Sequence, residues 1–305
     1  MWSRILYRIR SISLIWKLLI PFLAFAFIGT TSLVYIGLNS QQTLINQESV
    51  REMRQLYRLF LYNMHQKERV VLAMASVIAE NPEMKRLLKQ RRRDSLEKYA
   101  VPMFNALKKK FGIEQFHFHI PPGRSFLRLH QKSEQGEMMP YRRTVLEAMK
   151  NKKGVSGLEW GRSGLGLRGV APLIDDGALL GTVEIGYLLD LRFLTELKKE
   201  WGADFGIYER KGKGSYLLLA CTDEKCFKIH PEWSFKNKGN MEPAIMLSPK
   251  DLPARSVLLG PLKDYYGDVV AVVLIAVDRS KTVGRLAERR NLMLLIAIGG
   301  ILVSF

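Results

Sequence analysis

The sequence predicts an α+β fold: a long helix, then two successive sets of strands with helices, held between two apolar segments. Three observations predict it. Two uncharged runs, Leu18–Leu38 and Leu292–Phe305, bracket about 250 residues of mixed composition. Gln41–Glu80 contains no Gly or Pro and carries apolar residues at spacings of three and four. Beyond Ile113 the period changes to two, in short segments separated by turn residues.

Composition narrows the function classes. Of 305 residues, 47% are hydrophobic and 25% charged, which supports a packed core and argues against wholesale disorder. The formal charge is +18, from 47 Lys and Arg against 29 Asp and Glu. Two cysteines exclude a cysteine-rich scaffold and a multi-zinc protein. There is no P-loop, GxSxG, HExxH or kinase signature, so these residues are not expected to form an enzyme. The Gly-rich GRSGLGLRG lies between two strand candidates and opens no helix, which makes it a poor phosphate loop. No cofactor is expected.

The first apolar run has 21 residues, and a helix needs about 20 to cross the hydrocarbon core. Trp16 and Lys17 stand at its start, and Arg4, Arg8 and Arg10 precede it with no acid before Glu48. The positive-inside rule puts residues 1–17 in the cytoplasm and makes 18–38 the first membrane helix. The run exceeds the apolar core of a secretory signal, about 7–15 residues, so an uncleaved anchor is expected. Leu292–Phe305 has 14 uncharged residues, rising about 21 Å against a hydrocarbon core of about 30 Å. The expectation is that 280–305 forms an exit helix and a truncated second span, with any output domain beyond it. Residues 39–290 then lie outside a bacterial inner membrane, because a loop of this length is translocated whatever its charge. No nucleic-acid partner is expected there.

Each element between the spans has its own signal. In the stalk, residues 39–94, Met53, Leu56, Phe60 and Met64 form one helical stripe that Val71, Met74 and Ile78 resume. Asn81-Pro82 ends the long helix, and shorter helices are expected at Glu83–Gln90 and Ser95–Lys110. The basic run Lys85–Arg93 reads as a solvated turn. Residues 95–189 form a first module. Ile113–Ile120 and Ser125–His130 alternate strictly and are joined by Pro121-Pro122-Gly123 as a hairpin. Tyr141–Asn151 is a short helix. Strands at 154–161, 165–173 and 179–189 follow, with Arg162-Ser163-Gly164 and Asp175-Asp176-Gly177 as turns. Residues 190–279 form a second module with a helix at Asp190–Glu200 and a smaller sheet, from strands at 203–210, 215–221, 255–264 and 268–279. Tyr265-Tyr266-Gly267 makes its last turn, and Ser280–Arg290 runs helically into the second span. No close sequence repeat is visible, only a repeated order of elements.

Strand parity collects polar residues on one face of the first module. His117 and His119 point one way, and Phe116, Phe118 and Ile120 the other. Phe126, Arg128 and His130 share a face opposite Leu127 and Leu129; Arg168 opposes Leu165 and Leu167; Glu159 and Glu184 occupy the remaining strands. The functional reading is a pocket for a small anionic or carboxylate-bearing ligand. Arg offers a planar fork of donors, His donates or accepts, and Phe126, Tyr141 and Trp160 would wall off water. The competing reading is a network that satisfies itself, with Arg168 paired to Glu159 or Glu184. The HxH…H spacing of His117, His119 and His130 matches no standard zinc pattern, so no metal is expected. Cys221 and Cys226 enclose TDEK, and an oxidising compartment would favour a bridge between them.

The segments FHFHIPPGRSFLRLH (116–130), GLEWGRSGLGLRGVAPL (157–173) and GTVEIG (181–186) resemble one subfamily of double Cache domains, found in bacterial chemoreceptors, sensor kinases and cyclases. The resemblance covers roughly residues 40–285. GEMMP (136–140) stands where that pattern has an acidic-polar stretch. The resemblance implies two tandem PAS-like modules with the ligand in the membrane-distal one. It also implies an extracytoplasmic sensory domain of a transmembrane receptor, foremost a methyl-accepting chemotaxis protein, dimeric through the long helix. A membrane-anchored periplasmic scaffold that binds a protein partner is the rival. The two framing spans favour the sensor, which must join its binding module mechanically to an exit helix.

Overall fold

The computed structural model describes residues 13–131, 133, 136–211, 215–223, 242–249, 252 and 254–303. They form two compact units: Met53–Met246 with Val257–Val277, and the two ends of the chain with Leu247–Ser256.

Helix α1 runs unbroken over Leu14–Ala79, 66 residues. The membrane span and the stalk named from the sequence are parts of this one helix, as the absence of any proline between Phe22 and Ala79 allows. Among the described residues, α1 is the one helix long and apolar enough to cross a membrane. Helix α2 (Pro82–Lys89) starts as its sequence requires, with Pro82 in the first turn and the Asn81 side chain accepting from the Met84 amide at 3.0 Å. Helix α3 (Arg93–Phe111) ends at Gly112, left-handed at φ 71°.

Two sheets follow. The first contains β1 (Gln115–Ile120), β2 (Arg124–Arg128), β3 (Val155–Gly161), β4 (Gly164–Asp175) and β5 (Ala178–Leu188), with α4 (Arg143–Asn151) between β2 and β3. Helix α5 (Leu191–Trp201) leads to the second, made of β6 (Asp204–Lys211), β7 (Ser215–Cys221), β8 (Ala244–Leu247), β9 (Arg255–Lys263) and β10 (Val269–Asp278). Helix α6 (Ser280–Val303) comes last. The strand orders are β2-β1-β5-β4-β3 and β7-β6-β10-β9-β8, the same topology twice. The second sheet is therefore not the smaller of the two. Its extra strand, β8, is four residues of AIML, too short for its periodicity to be read.

Helix α1 contributes to both cores. Val71, Ala75 and Ile78 pack with Phe116, Phe118, Leu127, Val183 and Ile185 on the apolar face of the first sheet. Met53, Phe60 and Met64 pack with Phe193, Phe205 and Ile275, and the Phe60 ring lies 6.0 Å from Phe205 and 6.2 Å from Phe193. Burying each of these side chains other than Ala75 is worth about 1.5–3 kcal/mol. Leu56 and Met74, expected in the stripe, sit half-buried at the core edges. At the end of β7 the Cys221 thiol donates to the Asp223 carbonyl at 3.5 Å. Cys226, and with it the expected bridge, lies outside the described residues, as do Arg4, Arg8 and Arg10.

Candidate functional site

Residues that face each other across an antiparallel ladder point to the same side of the sheet. His117 pairs with Glu184, Glu184 with Val170, and Arg168 with Gly157 and Gly186. The face away from α1 therefore gathers Gln115, His117 and His119 from β1, Thr182 and Glu184 from β5, Arg168 from β4 and Glu159 from β3. Glycine keeps room on it. A Cβ at Gly161 would overlap the Arg168 guanidinium.

Glu184 is gripped from both sides. Arg168 Nη1 donates to its Oε1 at 2.6 Å, and Arg142 Nη2 to its Oε2 at 2.6 Å. Arg142, just ahead of α4, also donates through Nε to Glu159 Oε2 at 2.9 Å. Glu159 further accepts from the Thr144 amide at 3.0 Å and hydroxyl at 2.7 Å, so the first turn of α4 is pinned to β3. All these groups are buried. Burial alone would lift the Glu184 carboxyl, but Arg142 and Arg168 outweigh it and hold it far below the usual range. Arg142, opposed by burial but facing two carboxylates, is raised. Arg168 is lowered to about 10 by burial and by Arg142 beside it.

Burial disfavours the charged form of the three histidines at this face. His117 Nε2 lies 2.8 Å from Ser125 Oγ, and His119 Nδ1 lies 3.0 Å from Thr182 Oγ1. Burial drives His119 down to about 3 and His130 to about 4, with Glu184 opposing; His117 is also driven well down by burial and by His119. A nitrogen from each of His117 and His119 and an oxygen of Glu184 lie within 4.8 Å of one another, close enough for metal ligands. Both Glu184 oxygens already accept from guanidinium groups, so a divalent cation would sit against two fixed positive charges. The arrangement suits an anion better.

The structure brings together most of the sequence-predicted residues, but not all. Arg128 reaches the face, where its Nη2 lies 2.5 Å from Glu137 Oε1. Tyr141 lies at the rim, half exposed, and His130 takes a bond from the Phe116 amide at 3.3 Å. Phe126 belongs to the opposite face. The β1–β2 register passes from Phe118–Leu127 to His119–Ser125, so Phe126 is the extra residue of a bulge and loses the parity that simple alternation gave it. Its ring joins the apolar cluster, 5.3 Å from the Arg93 guanidinium. Trp160 also lies on the far face, as its place next to Glu159 requires, packed at the edge of the second core. Neither is a wall of this site.

Sequence reasoning missed Arg142, Glu137 and Gln115. Arg142 sits in a loop, where strand parity says nothing; a basic residue directly before a helix and near two strand carboxylates was the available signal. Glu137 is the one acid in GEMMP, and it takes Arg128. Gln115, Arg128, His130, Tyr141, Arg142 and Arg168 line a cleft with about 10 Å³ of free space, room for one water. The Gln115 side-chain oxygen is buried there without a hydrogen-bond partner.

The family profile described as double sensory domain of two-component sensor kinase (dCache_3) matches residues 47–224. The match covers more than half of the chain, which belongs to this family; it is a double Cache sensory domain, built as a long helix with two tandem PAS-like modules. No curated protein matches the chain. Similar solved structures include a domain of a putative sensory box/GGDEF family protein from Vibrio parahaemolyticus, at 12% identity, covering 76% of this chain and 97% of that one, TM-score 0.48. The sensor domain of the V. cholerae histidine kinase DctB is 11% identical, with 76% and 98% covered and a TM-score of 0.47. The ligand-binding domain of the Pseudomonas aeruginosa amino acid chemoreceptor PctC, solved with GABA, is 15% identical, with 76% and 96% covered and a TM-score of 0.36.

Proposed function

We propose that this chain is the extracytoplasmic sensor of an inner-membrane receptor, with methyl-accepting chemotaxis proteins the foremost candidate class. In this reading it takes a small carboxylate-bearing ligand on the polar face of the first module and signals through α6. The observation that carries it is the convergence of Arg128, Arg142 and Arg168, all buried, on one cleft beside neutral histidines. A buried guanidinium must keep an anion. Arg142 and Arg168 have theirs on rigid strands, whereas Arg128 counts Glu137 among its partners, from the loop after β2 and more exposed than the strand acids. Glu137 thus occupies the place a ligand carboxylate would take, and binding exchanges one anion for another, with Tyr141 closing over it. Topology follows the sequence expectation: 1–17 cytoplasmic, 18–38 spanning, 39–290 outside.

Dimerisation is part of the proposal. On α1, Leu59, Tyr62, Gln66, Val70, Ala73 and Val77 recur at spacings of three and four on the side away from the core, and all but Gln66 are exposed. Such a stripe fits the same stripe of a second copy, whose helix runs parallel when both are anchored in one membrane.

A thermal-shift screen of the purified chain tests the ligand class, comparing small mono- and dicarboxylates with neutral amides and amines of equal size. Stabilisation by carboxylates that is lost in Arg128→Ala supports the reading. Stabilisation by the neutral or cationic compounds alone would overturn it.

A further inference from the structure

We propose that the turn between β9 and β10, Asp264–Asp268, reports the state of the Arg142–Glu159 pair to the second module. This deepens the ligand-site reading by naming how the site is coupled to the rest of the sensor.

The turn touches the first module at positions next to each member of that pair. Leu158 precedes Glu159, and its carbonyl accepts from the Tyr265 amide at 3.2 Å. Arg143 follows Arg142; its Nη1 donates to Asp268 Oδ2 at 3.1 Å, and its guanidinium lies 4.8 Å from the Tyr266 ring centre. One turn along α4, Glu147 accepts from the Tyr266 hydroxyl at 3.4 Å. Gly157 makes the approach possible, since a Cβ there would stand 2.9 Å from Tyr265 Cβ and 3.2 Å from its Cα.

The turn is tied together by its own hydrogen bonds. Asp264 Oδ1 accepts from the amides of both Tyr266 and Asp268 at 2.9 Å, the Asp264 amide donates to the Asp268 carbonyl at 2.8 Å, and Gly267 takes φ 89°. Its grip on the first module is of a different kind from the buried network behind it. Arg143 and Asp268 are 53% and 70% exposed at the side chain, against 4% and 10% for Arg142 and Glu159. Exposed pairs contribute little and re-form easily. A shift at the buried pair displaces α4 against β3, and both carry attachments of the turn, so the turn loosens without either core opening. β10 lies at the centre of the second sheet and continues in sequence into α6.

The test needs no ligand, so failure of the carboxylate reading leaves it intact. Residue-resolved hydrogen exchange is measured on the full chain in detergent for the parent, Glu159→Gln, Arg143→Gln and the double variant. Glu159→Gln should speed exchange of the Tyr265 amide by about 10-fold, and in the Arg143→Gln background it should add almost nothing, because both act by loosening the same turn from the α4–β3 corner. Thr144→Val, which removes one bond to Glu159, should act in the same direction and replaces Glu159→Gln if that variant does not fold. Phe118→Leu, on the opposite face, should leave the Tyr265 amide within about two-fold of the parent. An unchanged Tyr265 amide in both Glu159→Gln and Thr144→Val, effects that multiply in the double variant, or an equal effect of Phe118→Leu would each overturn the proposal.

Discussion

Arg142 and Arg168 donate to different oxygens of one carboxylate, that of Glu184, each at 2.6 Å. One buried anion therefore fixes the position of two buried cations from different elements, a loop and a strand.

Removing that anion should be costly. Glu184→Ala leaves two guanidinium groups facing each other out of water, and the loss should be about 3–5 kcal/mol, as for other broken buried pairs. Urea denaturation at pH 7 measures it. A loss under about 1 kcal/mol would mean that the network contributes nothing to holding the face together.

Stability should fall as pH drops from about 6.5 towards 4. His119 and His130 are held neutral, at about 3 and about 4, against about 6.5 in the unfolded chain. Between those values the unfolded state binds more protons, so stability rises with pH. Each of the two should cost about 2 kcal/mol at pH 5 relative to pH 7. The groups facing them, Arg128, Arg142 and Arg168, oppose protonation, while Glu184 favours it. Urea melts at the two pH values check the slope, and His130→Gln should flatten it. Equal stability at pH 5 and 7 would contradict buried neutral histidines.

Glu137→Gln should tighten carboxylate binding, because it removes one internal competitor for Arg128, while Arg128→Ala should weaken it by about 2–5 kcal/mol. Isothermal titration with the strongest hit of the carboxylate screen gives both numbers. Opposite signs for the two variants are the expected signature. Weakening in both would make Glu137 a ligand contact and not a stand-in.

Gly169→Ala should destabilise the first module by about 1–3 kcal/mol or more. A Cβ at that position would overlap the α1 backbone at Val71 and Leu72. Thermal melts measure the loss. A neutral result would show that helix and sheet can separate at this crossing at no cost.

Cysteine at Tyr62 or Val70 should cross-link between two copies in membranes under mild oxidation, whereas cysteine at Leu61, exposed off the stripe, should not. Non-reducing gels give the ratio. Equal cross-linking at all three positions would remove the case for a paired stripe.

What could be read ahead of the structure divides along a physical line. The α1 stripe of Met53, Phe60, Met64, Val71 and Ile78 was legible because every third or fourth side chain repeats one direction. The polar face was legible at His117, His119, Arg168 and Glu184 for the matching reason on strands. Phe126 was misplaced because a bulge shifts parity by one, and nothing in SFLRLH announces an extra residue. β8 was missed because four residues give a period no room to show. Arg142 was missed because a loop has no period at all.

By itself the sequence determined the apolar span, the long amphipathic helix, the succession of two α+β modules and the side of the first sheet that carries its charges. These follow from segment length and periodicity, which neighbouring residues settle among themselves. The tertiary structure alone decided which cation meets which anion. Arg142 and Glu184 stand 42 positions apart, and a pairing across that distance depends on sheet register, on the entry of α4 and on burial, which raises the cost of any guanidinium left alone. It also decided that Glu137 takes Arg128, and so turned a face expected to hold a ligand into one that first holds its own side chain.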